Sequence, residues 1–163
     1  MTASKGNAMA VQRQIKRCLI LETNLWETGA VKHQIQFPLT IAEEFFGEGD
    51  ESTDIQITIR NSKKTYDCSI SEVYANSTRR LNQLPWSGAI GHCFVFFEEI
   101  DIEQRHYKLW TEYDLAMVVA CYRDCEWRQT TVKGKKKKGG QGNRGRLYCI
   151  VPAPANDDFK TLD

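Results

Sequence analysis

Short runs in which apolar and polar residues alternate one for one constrain this 163-residue chain more than any other feature. Along Asp54 to Arg60, Ile55, Ile57 and Ile59 take one side and Gln56, Thr58 and Arg60 the other. Thr65 to Ile70 repeats the pattern with Tyr66, Cys68 and Ile70 on one side. A period of two sets alternate side chains on opposite faces of a β-strand, a pattern that no helix buries. Asn61-Ser62 lies between the runs as a turn signal, so the pair reads as a hairpin. Lys32 to Phe37 alternates as strictly, with His33, Ile35 and Phe37 against Lys32, Gln34 and Gln36. Ile15 to Leu21, Tyr107 to Glu112 and Arg146 to Val151 have strand length, and Ala89 to Phe97 is strongly apolar. Within it, Cys93 to Phe97 reads as a strand buried on both faces.

Two short helices fit between these runs. Pro38 stops a strand, and Thr40 and Glu43 have the spacing of a capping box. Ile41, Ala42, Phe45 and Phe46 then form one apolar face, which Gly47 ends. Asp114 is placed to cap a second helix, Leu115 to Cys121. Glu48 to Thr53 and Glu98 to His106 read as polar connections. Many short strands without a βαβ rhythm predict a mainly β fold, a barrel or sandwich with helical plugs. The chain length fits a single domain, 11–151. Residues 1–10 are set aside as an added or frayed terminus, and 152–163 as a tail.

The net charge of +1 hides a segregated distribution: 133–146 is wholly basic, and Glu98 to Glu103 is acidic. Residues 133–145 combine Lys135, Lys136, Lys137 and Lys138 with five glycines, cannot build a core, and are expected to be mobile. The six cysteines are scattered and no signal peptide is visible, which points to free buried thiols in a reducing cytosol. No apolar run of about 18 residues exists to span a membrane.

Catalytic patterns are thin. His106-Tyr107-Lys108 before Asp114 approaches the H-x-K-x4-D pattern of phospholipase-D-type nucleases, but the aspartate falls one place late. Asp158-Phe159-Lys160 lies at the extreme tail. Cys121 and Cys125 lack a second ligand pair for zinc, and Gly139-Gly140-Gln141-Gly142 lacks the lysine and strand of a phosphate loop. No catalytic site, metal or cofactor is expected. What remains is binding chemistry. Asn76 to Gln83 reads as a polar loop holding Arg79, Arg80, Asn82 and Gln83, and the loop before Ile35 offers Lys32, His33 and Gln34. Arginine forks and amides can read base edges, while Lys63, Lys64 and the lysine run can neutralise phosphates.

In order and spacing these residues resemble the DNA-recognition domain of EcoRII-type restriction endonucleases. Thr28-Gly29-Ala30, His33-Gln34 and Pro38 opening a helix with Phe46 resemble its first recognition arm. Thr78-Arg79-Arg80 before Trp86 resembles its second, and the strands at 89–97 and Leu109-Trp110 also fit. The resemblance covers roughly Ile15 to Cys121. It implies a B3-like DNA-binding pseudobarrel, seven open strands with two short helices, gripping the major groove of double-stranded DNA between two arms. By position the first arm is Glu27, Thr28, Gly29, Ala30, Val31, Lys32, His33 and Gln34. The second is Ser77, Thr78, Arg79 and Arg80, with Asn82. Thr78 stands where the family carries a glutamate, so the target sequence does not carry over. The resemblance further implies a prokaryotic cytoplasmic protein whose nuclease domain lies elsewhere in a parent polypeptide. A transcription-factor-like B3 domain and a small phospholipase-D-like nuclease are the alternatives.

Overall fold

The structure, a computed structural model, describes residues 15–25, 27–28, 31–32, 35–49, 51–60, 64–74, 77–81, 91–130 and 146–154. For 24–25, 27–28 and 31–32 it describes the backbone alone. The elements run β1 (Arg17–Leu25), β2 (Glu27–Thr28), β3 (Val31–Lys32), β4 (Ile35–Pro38), α1 (Leu39–Phe46), β5 (Thr53–Ile59), β6 (Thr65–Ile70) and β7 (Thr78–Leu81). Then follow β8 (Gly91–Asp101), β9 (His106–Glu112), α2 (Leu115–Cys121), β10 (Arg128–Gln129) and β11 (Leu147–Pro152).

Nine strands form one sheet in the order β10-β11-β1-β8-β9-β5-β6-β7-β4, and β2 and β3 pair separately. Among the described strands only β5 and β9 run parallel. The fold is therefore mainly β, a curled open half-barrel with two short helices. The expected strand count is corrected from seven to nine in this sheet. Seven strands, β1 and β4 through β9, turn apolar side chains into one core, among them Leu19, Ile35, Ile57, Ile70, Leu81, Val95 and Leu109. β11 and β10 extend the sheet beyond β1, and Tyr148 of β11 also reaches this core.

Helix α1 seats Ile41, Ala42, Phe45 and Phe46 in the core. Phe46 meets Phe37, Phe97 and Tyr107 edge-on, with centroids 5.1 to 6.0 Å apart. Gly47 ends the helix at φ +99°, a conformation that costs a side-chain-bearing residue far more than glycine. The expected capping box does not form. The helix starts two residues earlier, at Leu39, Pro38 makes no side-chain cap, and the Leu39 N–H donates to the Ser77 carbonyl at 3.0 Å. A tertiary backbone acceptor has replaced the local hydroxyl.

A second apolar layer lies on the other face of β1, β8, β9 and β11. There Val118 and Tyr122 pack on Cys18, Ile20, Phe94, Phe96, Trp110, Cys149 and Val151. This is why Cys93 to Phe97 is buried without a break. Phe96 and Trp110 stack at 4.8 Å and 13°, worth about 0.5–1.5 kcal/mol beyond the area buried. Asp114 caps α2 as expected, its Oδ1 accepting from the Met117 N–H at 2.9 Å.

The polar connection expected from Glu98 is instead strand. β8 continues to Asp101, and Glu98 and Glu99 are buried. Glu99 Oε1 accepts from the backbone and side-chain nitrogens of Arg17, at 2.8 and 3.3 Å. The same Arg17 fork donates to the Glu44 and Phe45 carbonyls at the C-terminal end of α1. Among the described residues no helix is long and apolar enough to cross a membrane.

Candidate nucleic-acid interface

The strand pairings decide which connections share an end of the barrel. Leu25 pairs with Gly91, Ile35 with Leu81, and Thr23 with Cys93. Followed around the sheet, one end collects the last residues of β1, β5, β7, β9 and β10 and the first residues of β4, β6, β8 and β11. The connections 26–34, 60–64, 82–90 and 130–146 all leave and re-enter the sheet there. Helix α1, 71–77 and 102–105 serve the opposite end. Two separate connections, 26–34 and 82–90, thus spring from the same two paired positions, Leu25–Gly91 and Ile35–Leu81.

Several expected binding residues belong to this end. Within the first arm, Glu27 pairs with Lys32 and Thr28 with Val31 in the β2–β3 hairpin. Gly29, Ala30, His33 and Gln34 lie outside the described residues, as do Lys63, Asn82, Gln83 and Lys135 to Lys138. Their attachment points do not. Lys64 is exposed, directly before β6, and its carbonyl accepts from the Ile59 N–H at 3.1 Å. The 131–145 segment is closed at its base by a reciprocal pair: the Thr130 N–H donates to the Arg146 carbonyl at 2.9 Å, and the Arg146 N–H to Thr130 Oγ1 at 2.8 Å.

The second arm departs from expectation. Thr78 to Leu81 is a strand, β7, rather than part of a projecting loop, and Ser77 sits at the opposite end in a turn at φ +57°. The strand period separates the two arginines. Arg79 points inward beside Phe37 and is 1 % exposed. Its Nε donates to the Ser71 carbonyl at 2.8 Å, and its Nη2 to the Glu51 carbonyl at 2.7 Å and Thr53 Oγ1 at 2.9 Å. A guanidinium spent on these acceptors is not on offer to a base, so Arg79 is withdrawn from the reading set.

Arg80 lies on the outer face with Thr78, opposite Gln36. Its guanidinium carbon stands 4.0 Å over the Tyr74 ring, while its backbone N–H donates to Ser71 Oγ. Its Nε is buried without a hydrogen-bond partner. Stacking of this kind holds the fork flat at little cost.

Sequence reasoning missed four contributors. Arg60, at the β5–β6 turn, lies 4.8 Å over Trp110. Its outward place in the alternation was legible, but the aromatic beneath it was not. Glu22, His92 and Arg146 form a polar cluster near the strand ends from which 26–34 and 82–90 depart. Glu22 is 6 % exposed; its Oε2 meets His92 Nε2 at 2.6 Å, and its Oε1 accepts from the Leu147 N–H at 3.0 Å. Burial holds the Arg146 guanidinium below its ordinary pKa, and Glu22 opposes that shift. Residues 70 positions apart carry no local signal of such a pairing.

The enzyme-like patterns are placed as follows. His106 Nε2 is 2.6 Å from Thr58 Oγ1, which in turn meets Thr65 Oγ1 at 2.7 Å. The Asp114 carboxylate is engaged as the α2 cap. Cys121 and Cys125 are free thiols. Among the described residues no group of three or more His, Cys, Asp or Glu side chains is placed to hold a metal. Comparison with family models and with curated proteins finds no match for the chain.

Proposed function

We propose that this chain is a sequence-specific double-stranded DNA-binding domain that takes the duplex at the end of the half-barrel bearing 26–34, 60–64, 82–90 and 130–146. The observation that carries the reading is the convergence of these connections. Their described flanks, Leu25 and Ile35, Arg60 and Lys64, Leu81 and Gly91, and Thr130 and Arg146, stand at one end of a single sheet, and the stretches between them hold the first arm, Lys63, Asn82 and Gln83, and the Lys135 to Lys138 run. Base-reading amides and phosphate-neutralising lysines then share one working surface, the division of labour that duplex recognition needs. Of the arginine pair, Arg80 is the one left to read a base, although its stack on Tyr74 turns it toward the 71–77 connection rather than toward this end. In the restriction-enzyme setting that the resemblance implies, this domain supplies target choice, and cutting belongs to another part of the parent protein.

Selection from a randomised duplex pool tests the reading directly and is expected to return a short consensus. Arg80→Ala then loses about 1–3 kcal/mol of discrimination at one base pair. Lys136→Gln weakens all duplexes alike and lowers the salt slope by about one. A pool that returns no consensus, or equal losses on cognate and random duplexes for Arg80→Ala, would sink the proposal. Plasmid cleavage by the purified chain, lost in His106→Ala, would favour the nuclease alternative instead.

A further inference from the structure

We propose that Cys125 and Cys149 are an oxidisable pair, a modification site at which a low-molecular-weight disulfide is reduced and a new disulfide joins the segment after α2 to β11. The inference is independent of the function proposed above. The β10–β11 register sets the approach: Arg128 pairs with Tyr148 and Gln129 with Leu147, so the residues just before β10 run back along β11 toward Cys149. Three hydrogen bonds fix Cys125 there. Its N–H donates to the Tyr122 carbonyl at 2.9 Å, its carbonyl accepts from the Trp127 N–H at 2.9 Å, and Trp127 Nε1 donates to the Tyr122 carbonyl at 3.0 Å. The Trp127 ring lies against Phe94, with centroids 5.3 Å apart, and both cysteines belong to the apolar layer beneath α2. Within that layer the two thiols are in hydrogen-bonding contact. Both backbones are held, so the sulfurs already meet without rearrangement of either segment, the condition a native bridge requires.

The two thiols differ in access, and the difference orders the chemistry. Cys149 is 1 % exposed, whereas Cys125 is only half-buried. Desolvation and the Asp124 charge raise the Cys125 thiol, and the hydrogen bond from Cys149 opposes them. Burial first, and then Cys125, push Cys149 up to about 12. Cys125 is therefore the attacking sulfur and Cys149 the resolving one. The Cys125 thiolate, its proton released to solvent, attacks one sulfur of a disulfide RSSR. The RSSR bond breaks, a mixed disulfide Cys125–S–S–R forms, and RS⁻ leaves and takes up a proton. Cys149 then loses its proton, attacks Cys125 Sγ and expels the second RS⁻, which is protonated in turn. Two cysteine thiols are oxidised and one RSSR is reduced to two RSH. Cys18 lies in the same layer but is 0 % exposed, out of reach of such a reagent. Cys121 is exposed and is the competitor that the experiment must separate.

The test incubates the reduced, folded full chain with oxidised glutathione and follows its mass. The expected product has lost two hydrogens and carries no glutathione. Trypsin then releases peptide 124–128 linked to peptide 147–160, with Cys121 free in a separate peptide, 109–123. Closing a loop between the two positions restrains the unfolded chain, so the oxidised protein should unfold at a urea midpoint about 1–2 M higher. Cys149→Ala should stop at the mixed disulfide, with one glutathione on Cys125, and Cys125→Ser should leave Cys149 reduced. Glutathione retained on Cys125 or Cys121 of the wild-type chain with Cys149 free would overturn the pairing. So would a Cys121–Cys125 bridge, or six unmodified thiols after long incubation. Should either variant fail to fold, the wild-type peptide map decides alone.

Discussion

Truncating Arg79 and truncating Arg80 are expected to have opposite consequences, although the residues are neighbours. Arg79 is 1 % exposed and donates three hydrogen bonds of 2.7 to 2.9 Å from a charged group. Arg79→Ala removes bonds worth about 1.5–3 kcal/mol each in isolation and leaves the Ser71 and Glu51 carbonyls short of a donor. Against this stands relief from burying the guanidinium, several kcal/mol. The difference, with the cavity added, comes to about 3–5 kcal/mol of lost stability. At a urea slope of about 2 kcal/mol/M, the unfolding midpoint falls by roughly 2 M. The four tryptophans allow the transition to be followed by fluorescence. If Arg79→Ala is unfolded in buffer, Arg79→Lys, which reaches one acceptor at a time, falls in between. Arg80→Ala loses only its cation–π contact with Tyr74, about 0.5–1 kcal/mol, and shows its main effect in base discrimination. Equal midpoints for the Arg79→Ala and Arg80→Ala variants would refute the assignment of one arginine to the core and the other to the surface.

Two further outcomes follow from local chemistry. Asp114→Ala removes the α2 cap and costs about 1 kcal/mol, read as a lower urea midpoint; Asp114→Asn, which still offers a carbonyl oxygen, restores most of it. Burial pushes the Cys93 and Cys149 thiols up to about 12 from 9.0. The folded state therefore keeps protons that the unfolded chain releases, and stability is full below about pH 8 and falls from about pH 9 toward 12, by up to roughly 1.4 kcal/mol per pH unit per thiol. Urea midpoints measured from pH 7 to 10 should show the decline, and Cys93→Ala should make it shallower; an identical decline in that variant would exclude the thiol as its source.

The parts of the fold that could be read in advance were those where a face is decided by local pattern. Ile55 and Ile57, Phe45 and Phe46, and the doubly buried Cys93 to Phe97 all stand where alternation and run length put them. Polar strands were the failures. Thr78-Arg79-Arg80-Leu81 obeys the same two-residue period, but its inward residue is an arginine, and composition turned it into a loop. Glu99 lies buried in β8 because Arg17, 82 residues away, supplies the partner that makes a buried glutamate tolerable. In both cases the deciding energy is a hydrogen bond between segments far apart in sequence, and no window of neighbouring residues contains it. The candidate interface divides the same way. Its charged stretches were legible as composition, whereas the gathering of the strand ends that flank them follows from strand order alone.

That gathering has a physical counterpart in where the core is sealed. At the end served by α1, the helix lays Ile41, Ala42, Phe45 and Phe46 across the barrel, and Arg17 and Glu99 tie its last turn to β1 and β8. The outer face of β1, β8, β9 and β11 is closed by α2 and the segment that follows it. At the remaining end, the described residues include Glu22, Thr23 and Thr130 as buried polar groups. Apolar side chains there would close the core more cheaply, since hydrogen-bonded charges seldom improve on good packing. Oriented donors and acceptors instead fix the bases of several connections relative to one another, which a non-directional apolar contact does not do. An end built in this way suits a surface that must present side chains at set positions, the condition under which a recognition site gains affinity from a rigid support.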